Sequence, residues 1–389
     1  MLSEKELTAF REKLISLSEE KDFSCEADAL CFLDKAVSVL EKESKALRPF
    51  DRCGRPGGLL DFRKKNTPAV IVPDIHGRTD FLLKLLSFNL SRTSLKKNET
   101  VLEALNRKSL IVVCVGDGIH CEHRAMVRWQ KSLEFYKKGI VDSEPMKDEM
   151  RENISTMKIV MELKNSFSEN FHFLKGNHEN ILNENSYGNH AFYKYALEGE
   201  MTRAFMEKVF GDAVLYLIDS WEKNLPLCAA FSSFCVSHSE PAVFFKKREL
   251  VNFRENPFIT ESLTWTGNDQ AEDKSVCRLF HELTGKKESG ALWFAGHRPV
   301  EGKFFYRQNA SLIQFHNPEE MNCVFFNFDK KFNPEEDIIS VDTERLVGEA
   351  GSGASGACGG QKGNVEVLED NVPLEQCGVF EKYSGRKST

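Results

Sequence analysis

Five short apolar runs in this chain each stop abruptly at side chains that can bind a metal ion. The first residues of the five groups are separated by 43, 60, 61 and 59 residues, which leaves room for a crossover and a return strand. Because active sites of α/β folds lie at the carboxyl ends of strands, we expect these ends to gather at one edge. The runs end at Asp74 with His76, Asp117, Asn177 with His178 and Glu179, His238, and His297.

Each of these motifs alone is a weak signal. A single Asp-x-His is most often a turn, and a single buried histidine is most often a core residue. Five such motifs in one chain, each at the end of an apolar run, rarely coincide by chance. Their carboxylate, imidazole and amide groups suit divalent ions such as Mn, Fe or Zn. The pattern therefore predicts a metal centre, in which the two-residue offset lets Asp74 and His76 point to the same side of their strand.

The pattern of apolar and polar residues changes along the chain. Apolar residues at helical spacing predict helices over 3–19 and 26–46, and Ser3 with Glu6 predicts a capping box for the first. Strands, turns and helices then repeat, which is typical of an α/β domain. A Gly/Ser/Ala-rich stretch follows near the end. We expect an N-terminal helical extension (1–66), an α/β catalytic domain (67–340) and a flexible Gly/Ser-rich tail (341–389).

Composition narrows the class of protein further. The 389 residues are 41% hydrophobic and include 30 Phe, which is ample for a packed core. A formal net charge of -7 argues against nucleic acid as a partner. There is no apolar stretch long enough to cross a membrane, no secretory signal at the start, and 11 Cys show no framework spacing. These features predict a cytoplasmic protein with reduced thiols and no membrane partner.

The order Asp-x-His, Gly-Asp, Gly-Asn-His-Glu, His, Gly-His resembles that of the calcineurin-like metallophosphoesterases. Leu225-Pro-Leu-Cys-Ala-Ala and Leu263-Thr-Trp resemble segments of the serine/threonine phosphoprotein phosphatase branch of that superfamily. The resemblance extends over about residues 67 to 330. It implies an α/β fold in which a two-sheet β-sandwich is flanked by helices in four layers, with a dinuclear metal centre where loops meet.

The resemblance also implies a role for each motif residue. A hydroxide that bridges two divalent ions would attack phosphorus directly and in line, without a phosphoenzyme. His178 would act as general acid and protonate the leaving alkoxide. The implied ligands are Asp74 and His76 for the first ion, Asp117 as the bridge, and Asn177, His238 and His297 for the second.

One motif departs from the phosphoprotein phosphatase pattern. That branch carries an Asp-Arg pair three and four residues after the Gly-Asp aspartate, and here His120 and Cys121 occupy those places. The side chain that orients His178 and the side chain that binds phosphate are therefore unassigned. Glu122 is a candidate for the first role. For the second, planar guanidinium donors suit a phosphoryl group, and three arginines lie near the motifs: Arg124, Arg298 and Arg78.

The six remaining histidines lie outside the five motifs. His120 and His123 are near enough to the Gly-Asp motif to be extra metal ligands. We favour a role as loop residues, or as residues that contact the ligands without binding the metal. The other four have no partner pattern and are expected to be structural or on the surface: His172, His190, His281 and His316.

The motifs together predict a metal-dependent phosphoester hydrolase, closest to a phosphoprotein phosphatase, that acts on a phosphoprotein or a small phosphoester. One alternative is hydrolysis of a nucleotide or a dinucleoside polyphosphate by the same metal centre. An alternative from another class is a non-catalytic metal-binding scaffold, although an intact His178 argues against it. The N-terminal helices and the tail are candidate surfaces for a protein partner.

Overall fold

Two β-sheets lie at the centre of the fold. A computed structural model describes residues 1–186 and 188–342. The strands in these residues are β1 (Leu59–Asp61), β2 (Ala69–Val72), β3 (Ile111–Cys114), β4 (Phe171–Phe173), β5 (Cys228–Ala230), β6 (Cys235–Ser237), β7 (Trp293–Ala295), β8 (Phe305–Arg307), β9 (Leu312–Gln314), β10 (Asn322–Phe326) and β11 (Ile338–Ser340).

The strand order of each sheet brings several carboxyl ends together. The six-stranded sheet has the order β1-β5-β6-β7-β9-β8, and the five-stranded sheet has the order β11-β10-β2-β3-β4. In the five-stranded sheet β2, β3 and β4 are parallel, and in the six-stranded sheet β6, β7 and β9 are parallel. Parallel neighbours end at the same edge of a sheet, so the residues that follow these six strands are drawn towards each other.

Side-chain alternation along the central strands builds two separate cores. Ala69 and Ile71 of β2 join an apolar cluster between the two sheets. Val70 and Val72 of the same strand point to the opposite face and pack in the cluster formed with the N-terminal helices. This alternation is the period of two expected for a strand that is buried on both faces.

Helices cover the outer face of each sheet. Residues of α1 to α8 pack in one cluster with the five-stranded sheet, and residues of α9 to α11 pack in another with the six-stranded sheet. The predicted four-layer sandwich is therefore confirmed. The helices are α1 (Glu4–Ser18), α2 (Glu26–Glu41), α3 (Thr79–Ser87), α4 (Val101–Asn106), α5 (Met126–Tyr136), α6 (Glu144–Ser166), α7 (Glu198–Phe210), α8 (Asp212–Lys223), α9 (Lys247–Val251), α10 (Phe258–Thr264), α11 (Ser275–Thr284) and α12 (Pro334–Asp337).

The first 66 residues form two helices of an outer layer, α1 and α2, and one strand of the six-stranded sheet, β1. Helix α1 begins with the predicted capping box of Ser3 and Glu6. Strand β1 pairs in parallel with β5, with Leu60 opposite Ala229, and so forms one edge of the six-stranded sheet.

The division of the chain at residue 66 stays a proposal. Of the predicted tail, residues 343–389 lie outside the described residues. In the described part of the chain, no helix is both long enough and apolar enough to cross a membrane.

Candidate metal centre and active site

The two sheets bring all six predicted ligands to one place. The residues after β2 and β3 form the first half of the cluster. His76 Nε2 lies 3.8 Å from Oδ2 of Asp74 and 3.8 Å from Oδ2 of Asp117. The other ring nitrogen of His76, Nδ1, lies 3.0 Å from the backbone oxygen of Ile119, which fixes the ring orientation. Asp117 therefore faces the Asp74-His76 pair, as a bridging residue must.

The residues after β4, β6 and β7 form the second half. The amide oxygen of Asn177 lies 2.9 Å from Nε2 of His238 and 3.0 Å from Nδ1 of His297. Nε2 of His238 is also 3.4 Å from Oδ2 of Asp117. The backbone amide of His297 donates to Oδ2 of Asp74 at 2.9 Å, which ties the two sheets together at this edge.

Close packing at this edge explains two glycines of the motifs. A Cβ at Gly296 would lie 1.9 Å from Oδ1 of Asp74, and a Cβ at Gly176 would lie 2.1 Å from Oδ1 of Asp117. Glu179 links the same loops, since its carboxylate accepts hydrogen bonds from the backbone amides of Asp117, Gly118 and Gly176. Its contacts make Glu179 a support for the centre.

Of the 14 non-glycine residues with a positive φ in the described part of the chain, five belong to the centre. Five non-glycine residues here have a positive φ: His76 (49°), Asp117 (50°), His120 (74°), Glu122 (48°) and His297 (63°). Each such residue costs on the order of 1 kcal/mol and persists only where the surrounding structure enforces it. Clustering of this strain around one group of polar side chains is typical of a functional site.

Burial sets the protonation of the cluster. Burial lowers the pKa of His76 to about 3 and that of His238 to about 4, so both rings are neutral at neutral pH. Burial, with the charges of Glu179 and Asp74, raises the pKa of Asp117 well above its usual value. Neutral imidazoles are the form that binds metals, and a cation would relieve the unfavourable carboxylate charge.

Several ligand atoms at the centre would suit a divalent cation. Among the described residues, Oδ1 of Asp74, Nδ1 of His238 and Nε2 of His297 are buried without a hydrogen-bond partner. Leaving such atoms unpaired costs about 1–3 kcal/mol each. Ligand atoms of Asp74, Asp117 and His238 lie within 4.8 Å of one another. The oxygen and nitrogen donors therefore fit divalent ions, and a carboxylate shared by both halves of the cluster fits a pair of them.

His316 is a further candidate ligand that the sequence analysis assigned to a structural or surface role. It follows β9, its side chain is fully buried, and its ligand atom lies within 4.8 Å of those of Asp74 and His76. Its Nε2 lies 3.4 Å from Glu122, whose carboxylate is also 3.6 Å from His76. These contacts place Glu122 at His76 and His316, whereas the sequence analysis considered it as the group that orients His178.

The three arginines proposed for phosphate differ in their surroundings. The Arg78 guanidinium donates to five backbone carbonyls, including those of Asp74 and Glu320, so its contacts are structural. Arg124 is half-exposed, pairs with Glu152, and lies beside a cavity of about 520 Å³ that His76 also lines. Arg298 follows His297 and is half-buried.

A loop that the sequence analysis did not single out closes the other side of the centre. The segment 189–197, here called the rim loop, lies between the Gly-Asn-His-Glu motif and α7 and leads directly into that helix. Phe192 of this loop stacks on the His178 ring, with centroids 4.1 Å apart. Lys194 lines a small cavity together with His178, and its Nζ lies 3.7 Å from Glu122. His178 Nε2 lies 3.7 Å from Oδ2 of Asp117, which puts this imidazole next to the proposed ions.

Comparisons with known proteins agree with this architecture. No curated protein sequence matches the chain. Among solved structures, a serine/threonine protein phosphatase from Saccharomyces cerevisiae with similarity to human phosphatase PP5 has a TM-score of 0.51 at 11% identity, over 82% of this chain and 90% of that one. A cold-active protein tyrosine phosphatase has a TM-score of 0.40 at 11% identity, over 77% and 83% of the two chains. At these identities the first likeness concerns the fold alone, and the second carries no argument.

The family comparison is more specific. The model of the calcineurin-like phosphoesterases matches residues 67–329, which is more than half of the chain. The match begins within two residues of β2 and includes every motif of the centre. The resemblance drawn from the order of the motifs is therefore confirmed. The chain belongs to the calcineurin-like phosphoesterase family and is a hydrolase that acts on phosphoester bonds.

Proposed function

We propose that this protein is a phosphoprotein phosphatase-like monoesterase that needs two divalent ions, Mn, Fe or Zn. One observation carries the proposal, namely the convergence of buried carboxylates with neutral imidazoles whose ring nitrogens lack partners among the described residues. The proposed ligands are Asp74 and His76 for the first ion, Asp117 for both, and Asn177, His238 and His297 for the second. His316 is added as a candidate ligand of the first ion.

The side chains around the centre suit a direct displacement at phosphorus. Two bound ions would supply positive charge for the phosphoryl oxygens and would acidify a water that attacks phosphorus in line. Nε2 of His178 faces this centre and would give its proton to the leaving oxygen. Lys194 and Arg124 border the cavities that open beside the centre, so we propose them as the cations that hold the phosphate. Arg298 stays a candidate for the same role.

The native substrate is proposed to be a phosphorylated protein or a small phosphoester. Hydrolysis of a nucleotide or a dinucleoside polyphosphate would use the same metal ligands with different substrate-binding side chains around them. A non-catalytic scaffold would use the bound metal for folding alone. The cytoplasmic location, and a protein partner at the N-terminal helices or the tail, likewise stay proposals.

A single preparation of the purified chain tests the proposed function. Elemental analysis should find two divalent ions for each chain. Initial rates should be highest on a phosphopeptide, lower on p-nitrophenyl phosphate and lowest on a dinucleoside tetraphosphate, and a chelator should abolish all three. A preference for the tetraphosphate would favour the polyphosphate alternative. Bound ions without turnover on any substrate would favour the scaffold.

A further inference from the structure

His120 occupies an aromatic pocket next to His178. Its ring lies between Trp129, with centroids 5.5 Å apart at 28°, and Tyr195, with centroids 6.2 Å apart at 13°. The edge of Phe192 closes a third side, at 5.5 Å and 70°. The side chain is almost completely buried. Such packing on three sides holds the imidazole plane in one orientation.

A buried carboxylate faces one ring nitrogen of His120. Nε2 lies 3.5 Å from Oε1 of Glu198, which is the first residue of α7 and is fully buried. The Glu198 carboxylate accepts the backbone amides of Lys194 and Tyr195 at 2.9 and 2.5 Å, so the rim loop fixes its position. Burial would raise the pKa of Glu198, but His120 and the two amides lower it, and the group is ionised. An ionised acceptor favours a hydrogen on the Nε2 atom that faces it.

The other side of His120 faces His178. The two ring centroids are 5.1 Å apart, and ligand atoms of the two rings lie within 4.8 Å of each other. Nδ1 of His178 and both ring nitrogens of His120 are buried without a hydrogen-bond partner in the described part of the chain, and the 3.5 Å between Nε2 of His120 and Glu198 is an ion-pair distance. Because Nε2 of His178 faces Asp117, its Nδ1 is the atom left to be oriented from outside the metal centre. One hydrogen bond between the two rings would satisfy both Nδ1 atoms.

We propose that Glu198 and His120 position His178 through a chain of two hydrogen bonds, and so replace the aspartate that phosphoprotein phosphatases carry at the place of His120. Glu198 accepts from Nε2 of His120, and Nδ1 of His120 accepts from Nδ1 of His178. His178 then carries a hydrogen on both ring nitrogens, its Nε2–H is directed at the leaving oxygen, and transfer of that proton leaves a neutral imidazole with its hydrogen on Nδ1. This inference rests on the proposed function, because it assigns partners to the general acid of that reaction.

Leaving-group dependence distinguishes a positioning role from a structural one. An alkoxide leaving group needs the proton of the general acid, whereas p-nitrophenolate leaves with little help. Glu198→Gln and His120→Asn should therefore lower kcat about 100-fold on a phosphoserine peptide and less than about 10-fold on p-nitrophenyl phosphate. His120→Asp, which restores a carboxylate next to His178, should recover most of the loss on the peptide. Both ions should be retained in all three variants.

Two further variants complete the experiment. His178→Asn with Glu198→Gln should lose no more activity on the peptide than His178→Asn alone, since both changes remove the same proton transfer. Glu207→Gln, in the same helix but exposed, should leave both rates unchanged. Equal losses on the two substrates, or loss of an ion from the His120 variants, would overturn the positioning role and make His120 a structural residue or a ligand. Absence of wild-type turnover on both substrates would instead refute the proposed function.

Discussion

Two buried clusters in this protein both combine carboxylates with imidazoles, but only one of them contains the cations that neutralise its carboxylate charge. The paired cluster consists of four buried residues from the segment after α2, from α6 and from β4, namely Glu43, Arg48, Lys164 and His172. Arg48 donates to Glu43 at 2.7 Å, and Lys164 binds both Glu43 and, at 3.1 Å, Nδ1 of His172. Burial would raise the pKa of Glu43, but these neighbours lower it far below its usual range.

The metal-centre cluster consists of the six proposed ligands with His178. It also combines buried carboxylates with imidazoles, but there burial raises the pKa of Asp117. Burial of a carboxylate is thus not in itself a sign of function. The paired cluster contains the cations that balance its charge, whereas the metal-centre cluster needs cations from solution. Substitutions in the two clusters should accordingly have different consequences, the first for folding and the second for chemistry.

The largest effect is expected at the carboxylate shared by both halves of the metal centre. Asp117→Asn should lower turnover at least about 1000-fold and reduce occupancy of both ions, because an amide cannot bridge two cations. The free energy of unfolding of the ion-free protein should stay the same or rise, since a buried charge is removed. Elemental analysis, initial rates and urea unfolding measure the three quantities. Retention of two ions would contradict the bridging assignment.

The next effect concerns the imidazole proposed as general acid. His178→Asn should keep both ions and lower turnover on a phosphopeptide by about 10²–10⁴, which is the usual contribution of general acid catalysis. Rates and metal content on one sample give the answer. Turnover equal to that of the wild type would remove His178 from the mechanism.

In the paired cluster, the carboxylate should matter for stability alone. Glu43→Gln leaves Arg48 and Lys164 buried without their counter-charge, which should cost about 3–5 kcal/mol of the free energy of unfolding. Turnover per folded molecule should be unchanged. Urea denaturation and initial rates measure the two effects. A variant as stable as the wild type would erase the proposed difference between the clusters.

The histidine of the paired cluster should make stability depend on pH. Burial and the charge of Lys164 lower the pKa of His172 to about 4, from 6.5 in an unfolded chain. The unfolded state therefore binds the proton more readily, and the contribution of His172 is complete above the unfolded pKa and lost as pH falls towards the folded one. Between about pH 7 and about pH 5 this amounts to about 2 kcal/mol. His172→Gln should flatten that part of the stability profile, and an unchanged slope would contradict the buried neutral state.

The smallest effect is expected at the rim. Lys194→Met should raise KM for a phosphopeptide about tenfold with little change in kcat, because one charge-assisted contact to phosphate is lost. Lys208→Met is the matched control, since the ion pair of Lys208 with Asp142 is exposed. If the two variants behave alike, Lys194 does not bind phosphate, and Arg124 becomes the stronger candidate.

The sequence predicted the inner strands of both sheets and one edge strand, β4, and it missed the other three edge strands. Strand-like apolar runs in the sequence at 69–73, 109–115, 171–175 and 227–231 correspond to β2, β3, β4 and β5, and those at 234–237, 291–295, 311–315 and 323–328 correspond to β6, β7, β9 and β10. The strands without a matching run are β1, β8 and β11, and each forms an edge of its sheet. None of these three strands is buried along its whole length, and each lacks the continuous apolar run of an inner strand, whereas the edge strand β4 is fully buried and has such a run.

The site shows the same division between local and long-range signals. The six predicted ligands converge because each follows the end of one of the parallel strands β2, β3, β4, β6 and β7. His316 also closes an apolar run, Leu312-Ile-Gln-Phe, so its signal was present although no motif pointed to it. Lys194 and Glu198 had no such signal. Their place beside the centre depends on how the rim loop folds back over His178, which no spacing in the sequence encodes.

The pairing of β1 with β5 also bears on solubility. A polypeptide that begins at residue 67 would keep every proposed ligand but would lose β1, and the outer edge of β5 would be left unpaired. Open strand edges recruit strands from other molecules and promote aggregation. Strand β1 is an edge as well, but its Asp61 forms ion pairs with Arg63 and Lys247, whereas β5 (Cys228–Ala230) carries no charge, so we expect the edge formed by β1 to promote self-association less than an exposed β5 would.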